Sequence, residues 1–263
     1  MTALTANVPF GMYLAALLVF GVSYVVSSAS WKKWGEILLG AGWVVQTALM
    51  IWRWQVGGRP PMANQYESLL VLSWGVILIY GCLRWSTTIS GLGFWVAACS
   101  LLILASASLF DHSIQPLMPA LQSNWLLYHV IVIMVGYAAL ALAAVMAGVY
   151  LVCYRNANLK EEKAKALDAL MFRAVTLGFL FLVGGIILGS VWANEAWGSY
   201  WSWDPKETWS LITWMYYAVA IHLRRTRGWM GARFAWLVLV GLAFVIFTYF
   251  GVNFLLVGLH SYA

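Results

Sequence analysis

The sequence predicts an all-α integral membrane protein, a polytopic bundle of about eight transmembrane helices with both termini extracytoplasmic. Hydrophobic residues make up 63% of the chain and charged residues only 9%, and the mean hydropathy is +0.82. Soluble domains are about 45–50% apolar and about 25% charged. So few polar residues cannot cover a soluble globule, and the distribution of positive charge predicts the orientation in the membrane.

Eight apolar stretches are the predicted spans, since a helix needs about 20 mostly apolar residues to cross a bilayer. The third and seventh are shorter and more polar than the others. The opening ten residues carry no Lys or Arg, so the first span is expected to be a retained helix rather than a cleaved signal. Little remains for a soluble domain, and we predict one domain over residues 1–263. The predicted spans cover residues 9–28, 36–56, 68–84, 91–110, 125–152, 172–192, 207–223 and 234–257.

The positive charges predict the orientation of the spans. Of the 15 Lys and Arg residues, all except Arg53, Arg59 and Lys206 fall on the side opposite the termini. Loops rich in Lys and Arg stay in the cytoplasm, so both termini are expected outside. The inward loop of residues 154–170 mixes Lys with Glu161, Glu162 and Asp168, as a solvated segment or a short surface helix does. The positive net charge is therefore attributed to the cytoplasmic loops and does not indicate nucleic-acid binding.

The three cysteines, Cys82, Cys99 and Cys153, lie within or near the cytoplasmic ends of spans. No structural disulfide is expected there, and small buried apolar side chains are the simplest interpretation. The chain contains no Cys-x-x-Cys-His, which excludes a c-type cytochrome.

A tryptophan-rich outward segment, residues 192–214, is the densest aromatic feature. An aromatic belt at the membrane interface accounts for Trp192 and Trp214, near the helix ends. Between them, Trp197, Trp201 and Trp203 differ by even steps, as residues on one face of an extended segment do. Such a flat, apolar strip favours a planar hydrophobic ligand, with a dense belt as the alternative.

Asp204 follows this strip in the sequence Asp-Pro-Lys-Glu. Asp at the N-cap, Pro at the first helical position and Glu at the third predict the start of the seventh helix. We interpret Asp204 as a cap that fixes where the aromatic strip ends.

Two histidines are predicted at one membrane depth, on the side of the tryptophans. His129 lies about one turn into the fifth span, and His260 follows the eighth. A single helical histidine is usually a packing residue, but haem iron takes axial histidines, and a strip between two imidazoles suits haem. His222, near the inner end of the seventh span, is either interfacial or a ligand whose second histidine comes from a partner. His112 is expected in a solvated loop.

Four ordered segments resemble the CcsA type of cytochrome c biogenesis protein, a haem-handling family with a tryptophan-rich WWD segment that includes ResC-like proteins. They are WGSYWSWDPKE at 197–207, GRPPMANQYES at 58–68, PALQSNWLLYH at 119–129, and GVNFLLVGLHSYA at 251–263.

This resemblance implies that His129 and His260 are the extracytoplasmic histidines, that His222 is the transmembrane histidine, and that Trp197, Trp201, Trp203 and Asp204 belong to the cofactor-binding segment. It implies haem b as ligand and substrate, presented for thioether attachment to the Cys-x-x-Cys-His of apocytochrome c. The implied partner is a CcsB/ResB-like membrane protein, with thiol-reducing assembly proteins as further candidates and no nucleic acid. The chain would be the haem-handling half of a cytochrome c synthase, or haem lyase.

Haem propionates need cations, and Arg59 and Lys206 are the outward candidates, with interfacial anchoring as their alternative. The expected location is a bacterial inner (plasma) membrane, or a thylakoid membrane. The competing functions are a b-type electron-transfer subunit, a small-solute transporter and a scaffold that never contacts haem.

Overall fold

A computed structural model describes residues 4–85, 91–154 and 161–260. Throughout these ranges the regular structure is helical, without a β-strand. A 3₁₀ turn at Pro119–Leu121 precedes α5, and π-helical turns at Tyr150–Tyr154 and Phe247–Gly251 follow α5 and α8. The α-helices are α1 (Leu4–Val26), α2 (Ala29–Gly57), α3 (Gln65–Trp85), α4 (Leu92–Ala107), α5 (Asn124–Val149), α6 (Glu161–Trp197), α7 (Pro205–Arg227), α8 (Ala232–Ile246) and α9 (Val252–Leu255).

The predicted all-α membrane fold is confirmed. Six helical segments of the described chain are long and apolar enough to cross a bilayer: Leu4–Val26, Ala29–Gly57, Gln65–Arg84, Asn124–Cys153, Glu161–Trp197 and Ala232–Leu255. Helix α4 is apolar but shorter, with 16 residues, and α7 is not among the six. The count of eight spans and the outward termini therefore stay predictions. Arg155 and Lys160 of the predicted inner belt, and residues 261–263 of the tail, lie outside the described residues.

Two compact units divide the chain, Met1–Leu117 and Met118–Ala263; the single domain over 1–263 stays a prediction. In the first unit, buried polar groups link neighbouring helices. The Tyr13 hydroxyl donates to Gln46 Oε1 at 2.5 Å, and Gln46 Nε2 donates to the Leu70 carbonyl at 3.0 Å. These bonds satisfy groups that lipid could not.

In the second unit, glycines bring α5 and α6 into close contact. A Cβ on Gly178 would lie 2.5 Å from Leu140 Cγ and 3.1 Å from the Gly136 carbonyl oxygen. A Cβ on Gly185 would lie 2.7 Å from Ile133 Cδ1. Small residues allow helix backbones to approach in this way in membranes. The close packing of α5 and α6 fixes the positions of the side chains that these two helices contribute to the candidate site described below.

The inner loop differs from its prediction in two respects. Helix α6 begins at Glu161, so the Lys/Glu-rich residues continue directly into the span instead of forming a separate surface helix. Asp168 is buried, not solvated, and Arg224 donates to both of its carboxylate oxygens, at 2.9 and 2.6 Å. The Gly231 N–H at the start of α8 also donates to Asp168, at 2.9 Å. One carboxylate thus joins α6, α7 and α8.

The cysteines are free, as expected, but they are not all buried. Cys82 and Cys153 are exposed and Cys99 is half-buried. The two exposed thiols lie on helices Gln65–Trp85 and Tyr150–Tyr154. The interpretation of all three cysteines as buried side chains is therefore wrong for these two.

Candidate functional site

The candidate site lies in the second unit, where His129 of α5, Trp192 and Trp197 of α6, and His260 after α9 meet. The Trp192 ring contacts both histidine rings, with centroid distances of 6.3 Å to His129 and 5.5 Å to His260. Trp197 contacts Trp192 at 4.7 Å and His260 at 4.8 Å. The structure therefore brings the two predicted histidines to a single tryptophan.

His129 is held by the backbone of the neighbouring helix. Its Nδ1 lies 2.7 Å from the Gly185 carbonyl oxygen. A carbonyl only accepts hydrogen bonds, so Nδ1 carries the proton, and Nε2 carries the lone pair that can ligate a metal. A Cβ on Gly189 would lie 2.7 Å from Nδ1. The absence of a side chain there makes room for the imidazole.

His260 is held by a carboxylate. Its Nδ1 lies 2.8 Å from Asp204 Oδ1, and the ionised carboxylate only accepts, so Nδ1 again carries the proton. The Leu259 N–H donates to Asp204 Oδ2 at 2.6 Å. A Cβ on Gly258 would clash with that oxygen, so only glycine allows the tail to approach so closely.

Asp204 is also the N-cap of α7, as predicted. The Lys206 N–H donates to Oδ1 at 2.9 Å, and Glu207 completes a capping box by accepting from the Asp204 N–H at 3.2 Å. Burial by itself raises the pKa of Asp204, but hydrogen bonds from His260 and the backbone outweigh it, and the pKa lies below its ordinary value. Asp204 is therefore ionised at neutral pH.

Trp192 is the site residue that the sequence interpretation missed, because it was assigned to the interfacial belt. It is only 2% exposed, and its ring lies nearly parallel to that of His129, with 14° between the planes. A signal existed: Gly185, Gly189 and Trp192 are spaced by four and three residues, which puts them on one helix face.

The three tryptophans of the predicted strip do not lie on one extended segment. Trp197 is the last residue of α6, and Gly198, with a φ of 77°, turns the chain out of the helix. Trp201 and Trp203 contact each other edge to face at 5.8 Å. Trp203 has a φ of 59° and is 69% exposed, which offers an indole on the surface.

The two predicted cations differ in their surroundings. Lys206 belongs to the same unit as the candidate site and lies two residues after Asp204. Its Nζ donates to Asn253 Oδ1 at 2.8 Å. Arg59 belongs to the first unit, where it pairs with Glu67 at 2.7 Å and donates to the Gln115 carbonyl. Arg53, 1% exposed, pairs with the same Glu67. The guanidinium of Arg59 thus holds the fold of the first unit.

The remaining two histidines lie elsewhere. His222 is exposed on α7, and its carbonyl accepts from the Thr226 hydroxyl. His112 belongs to the first unit, where its carbonyl accepts from Arg53. Across residues 4–85, 91–154 and 161–260, no group of three His, Cys, Asp or Glu side chains is placed to hold a metal ion. Two histidines, such as His129 and His260, are enough as axial ligands for a metal ion that a macrocycle already binds.

Comparison with known proteins identifies the family. The profile of the family "Cytochrome C assembly protein" matches residues 62–260. The cytochrome c biogenesis protein CcsA of Chlamydomonas reinhardtii is 41% identical over 255 residues, covering 93% of this chain and 72% of the relative. CcsA of Synechococcus sp. (strain CC9605) is 38% identical and covers 98% of this chain and 96% of the relative.

A solved structure has the same fold. Cytochrome c Heme Lyase CcmF superposes with a TM-score of 0.68 at 15% identity, over 95% of this chain and 46% of that protein. At such low identity the likeness concerns the fold alone. The family match and the CcsA relatives decide the assignment, and the chain belongs to the cytochrome c assembly protein family.

Proposed function

We propose that this chain binds haem b between His129 and His260 and presents it on the extracytoplasmic face for attachment to apocytochrome c. Membership of the family, with CcsA relatives along nearly the whole chain, makes cytochrome c maturation its function. Haem is the substrate that such a protein handles.

One observation carries the proposal. Both imidazoles have Nδ1 fixed by a group that can only accept a hydrogen bond, Gly185 in one case and Asp204 in the other. Each histidine therefore carries its lone pair on Nε2, the tautomer that metal-ligating histidines adopt when a second group holds the other nitrogen. The buried indole of Trp192 packs against both rings, and the half-buried indole of Trp197, beside His260, supplies apolar surface of the kind that a porphyrin needs.

The chemistry belongs to haem and the client thiols. A cysteine S–H adds across a vinyl group, so that sulfur bonds to one vinyl carbon and the proton ends on the other. The chain binds and orients the reactants, and alignment of this kind recovers several kcal/mol of a barrier. His260 lies in a tail rather than within a helix, which suits a ligand that gives way to the histidine of the cytochrome.

Lys206 is the proposed cation for a haem propionate. It lies two residues from Asp204 and in the first turn of α7, and an ammonium group forms charge-assisted hydrogen bonds with carboxylates. Arg59 is a weaker candidate than the sequence suggested, because Glu67 already accepts from its guanidinium.

The proposed partners follow from the inner histidine. His222 is exposed on α7, so a ligand from another membrane chain can reach it, and a CcsB/ResB-like protein is the proposed source. Together the two chains would form the synthase, or haem lyase, with thiol-reducing proteins keeping the client cysteines available. The relatives from Synechococcus and Chlamydomonas favour a thylakoid membrane over a bacterial inner membrane.

Absorption spectra of the purified chain, with and without its partner, test the proposal. Wild type should retain haem, and the His129→Ala, His260→Ala double variant should lose the Soret band of the outer site or shift it. His112→Ala is the matched control, because that histidine lies outside the candidate site, and it should behave as wild type.

Haem-free wild type, even with the partner present, would contradict haem binding and favour a scaffold. An unchanged Soret band in the double variant would show that haem binds at another site. His222→Ala would then be the next variant. Thioether formation on a Cys-x-x-Cys-His peptide separates haem presentation from electron transfer.

A further inference from the structure

Asp204 does more than a helix cap requires. Capping α7 needs one acceptor for the first N–H groups, and Asn or Ser provides it about as well as Asp. Ser123 caps α5 in this way, with a hydroxyl that accepts from the Trp125 N–H at 3.1 Å. Asp204 also binds two consecutive tail residues, Leu259 through Oδ2 and His260 through Oδ1.

The two histidines of the site are held by different kinds of acceptor. The partner of His129 is a neutral carbonyl on a packed helix. The partner of His260 is a buried carboxylate, and His260 itself lies beyond the last helix, where the backbone alone would leave it poorly oriented. A carboxylate on Nδ1 fixes the tautomer, directs the ring and raises the basicity of Nε2.

We propose that Asp204 is the positioning residue of His260: its carboxylate selects the Nδ1–H tautomer and directs Nε2 towards the haem iron. The claim about the tautomer depends on the observed hydrogen bonds alone. The claim that Nε2 points to the haem iron rests on the proposed function. Because the same carboxylate caps α7, the tryptophan segment and the histidine tail are tied to one residue. Gly258 permits this link, since any side chain there would meet the Asp204 carboxylate.

Histidine tautomers, measured by ¹⁵N NMR on the haem-free chain in lipid nanodiscs, test the first part. The signal of His260 is assigned by its loss in His260→Gln. Wild type should show the Nδ1–H form. Asp204→Ser keeps a cap for α7 but is too short to reach the imidazole, so His260 should move towards the Nε2–H form that free imidazoles prefer. Asp204→Asn keeps an acceptor oxygen and should restore Nδ1–H.

Glu207→Ala is the matched control. It removes the other half of the same capping box without touching His260, and the tautomer should not change. An unchanged tautomer in Asp204→Ser would overturn the proposal. So would an equal change in Glu207→Ala, because loss of helix capping would then explain both results.

Haem-loaded protein tests the second part. Asp204→Ser should retain severalfold less haem than wild type and show a weakened six-coordinate spectrum. Asp204→Asn should retain haem with a higher reduction potential, since it lacks the charge that makes Nε2 basic. Equal retention, spectra and potentials in all three would overturn the iron part. A haem-free wild type would instead contradict the proposed function, while the tautomer comparison still decides the role of Asp204.

Discussion

At the scale of single residues, one backbone carbonyl and one carboxylate hold the two histidines of the candidate site. The Asp-Pro-Lys-Glu pattern predicted the cap of α7, and the capping box is present. The bond from Asp204 to His260 joins residues 56 positions apart, and no local rule contains that pairing. Gly185 packs against α5, and its carbonyl accepts from His129, while the missing side chain at Gly189 leaves room for the imidazole.

Gly189→Ala should therefore displace His129, because the new Cβ would lie 2.7 Å from Nδ1 of the ring. We expect severalfold lower haem retention, measured as the Soret absorbance per protein. The matched control is Gly184→Ala in the same helix, whose Cβ would lie 3.5 Å from Val132, an ordinary contact.

Both substitutions gain the same helix propensity, about 1 kcal/mol each, so a difference between them reports on the space beside His129. Equal haem retention in the two variants would show that the His129 ring can move without loss of haem. That result would contradict the expectation that haem binding needs a fixed imidazole.

At the scale of helices, composition predicted the apolar parts well and the charged ends poorly. The Lys/Glu-rich stretch before residue 172 has the composition of a solvated segment, and Lys165 and Glu161 do form an exposed pair there. Three residues beyond Lys165, Asp168 faces inward and binds Arg224 of α7. Burial of a charge depends on its partner in another helix, so residue type alone could not separate Asp168 from its neighbours.

Loss of one partner of this buried pair should destabilise the second unit. Asp168→Ala leaves the Arg224 guanidinium without its bidentate acceptor, and such losses typically cost about 3–5 kcal/mol. We expect a clear decrease in the thermal unfolding temperature in detergent. Lys165→Ala is the control, since it breaks an exposed pair and should change the temperature little. An Asp168→Ala protein as stable as the control would mean that water solvates the pair.

At the scale of the whole molecule, the fold class followed from composition because lipid leaves few choices. Backbone groups in a bilayer must be satisfied internally, and helices do this within one segment. The count of eight spans stays a prediction, since α4 has only 16 residues and α7 carries Lys, Glu and Arg within its length. The residue types of the candidate site were predictable from the sequence, whereas its side of the membrane stays a prediction. Its geometry required the packing of α5 against α6, which brings Trp192 to His129.

The orientation deduced from charge can be tested with introduced cysteines. In a background where Cys82, Cys99 and Cys153 are replaced by Ser, Gln122→Cys precedes α5 on the predicted outer side. Lys163→Cys lies near the start of α6 on the predicted inner side. A membrane-impermeant maleimide added to sealed, outside-out vesicles should label Gln122→Cys at once and Lys163→Cys only after permeabilisation. The reverse pattern would place the candidate haem site on the cytoplasmic face and contradict the predicted orientation. Equal labelling of both before permeabilisation would show that α5 does not cross the bilayer.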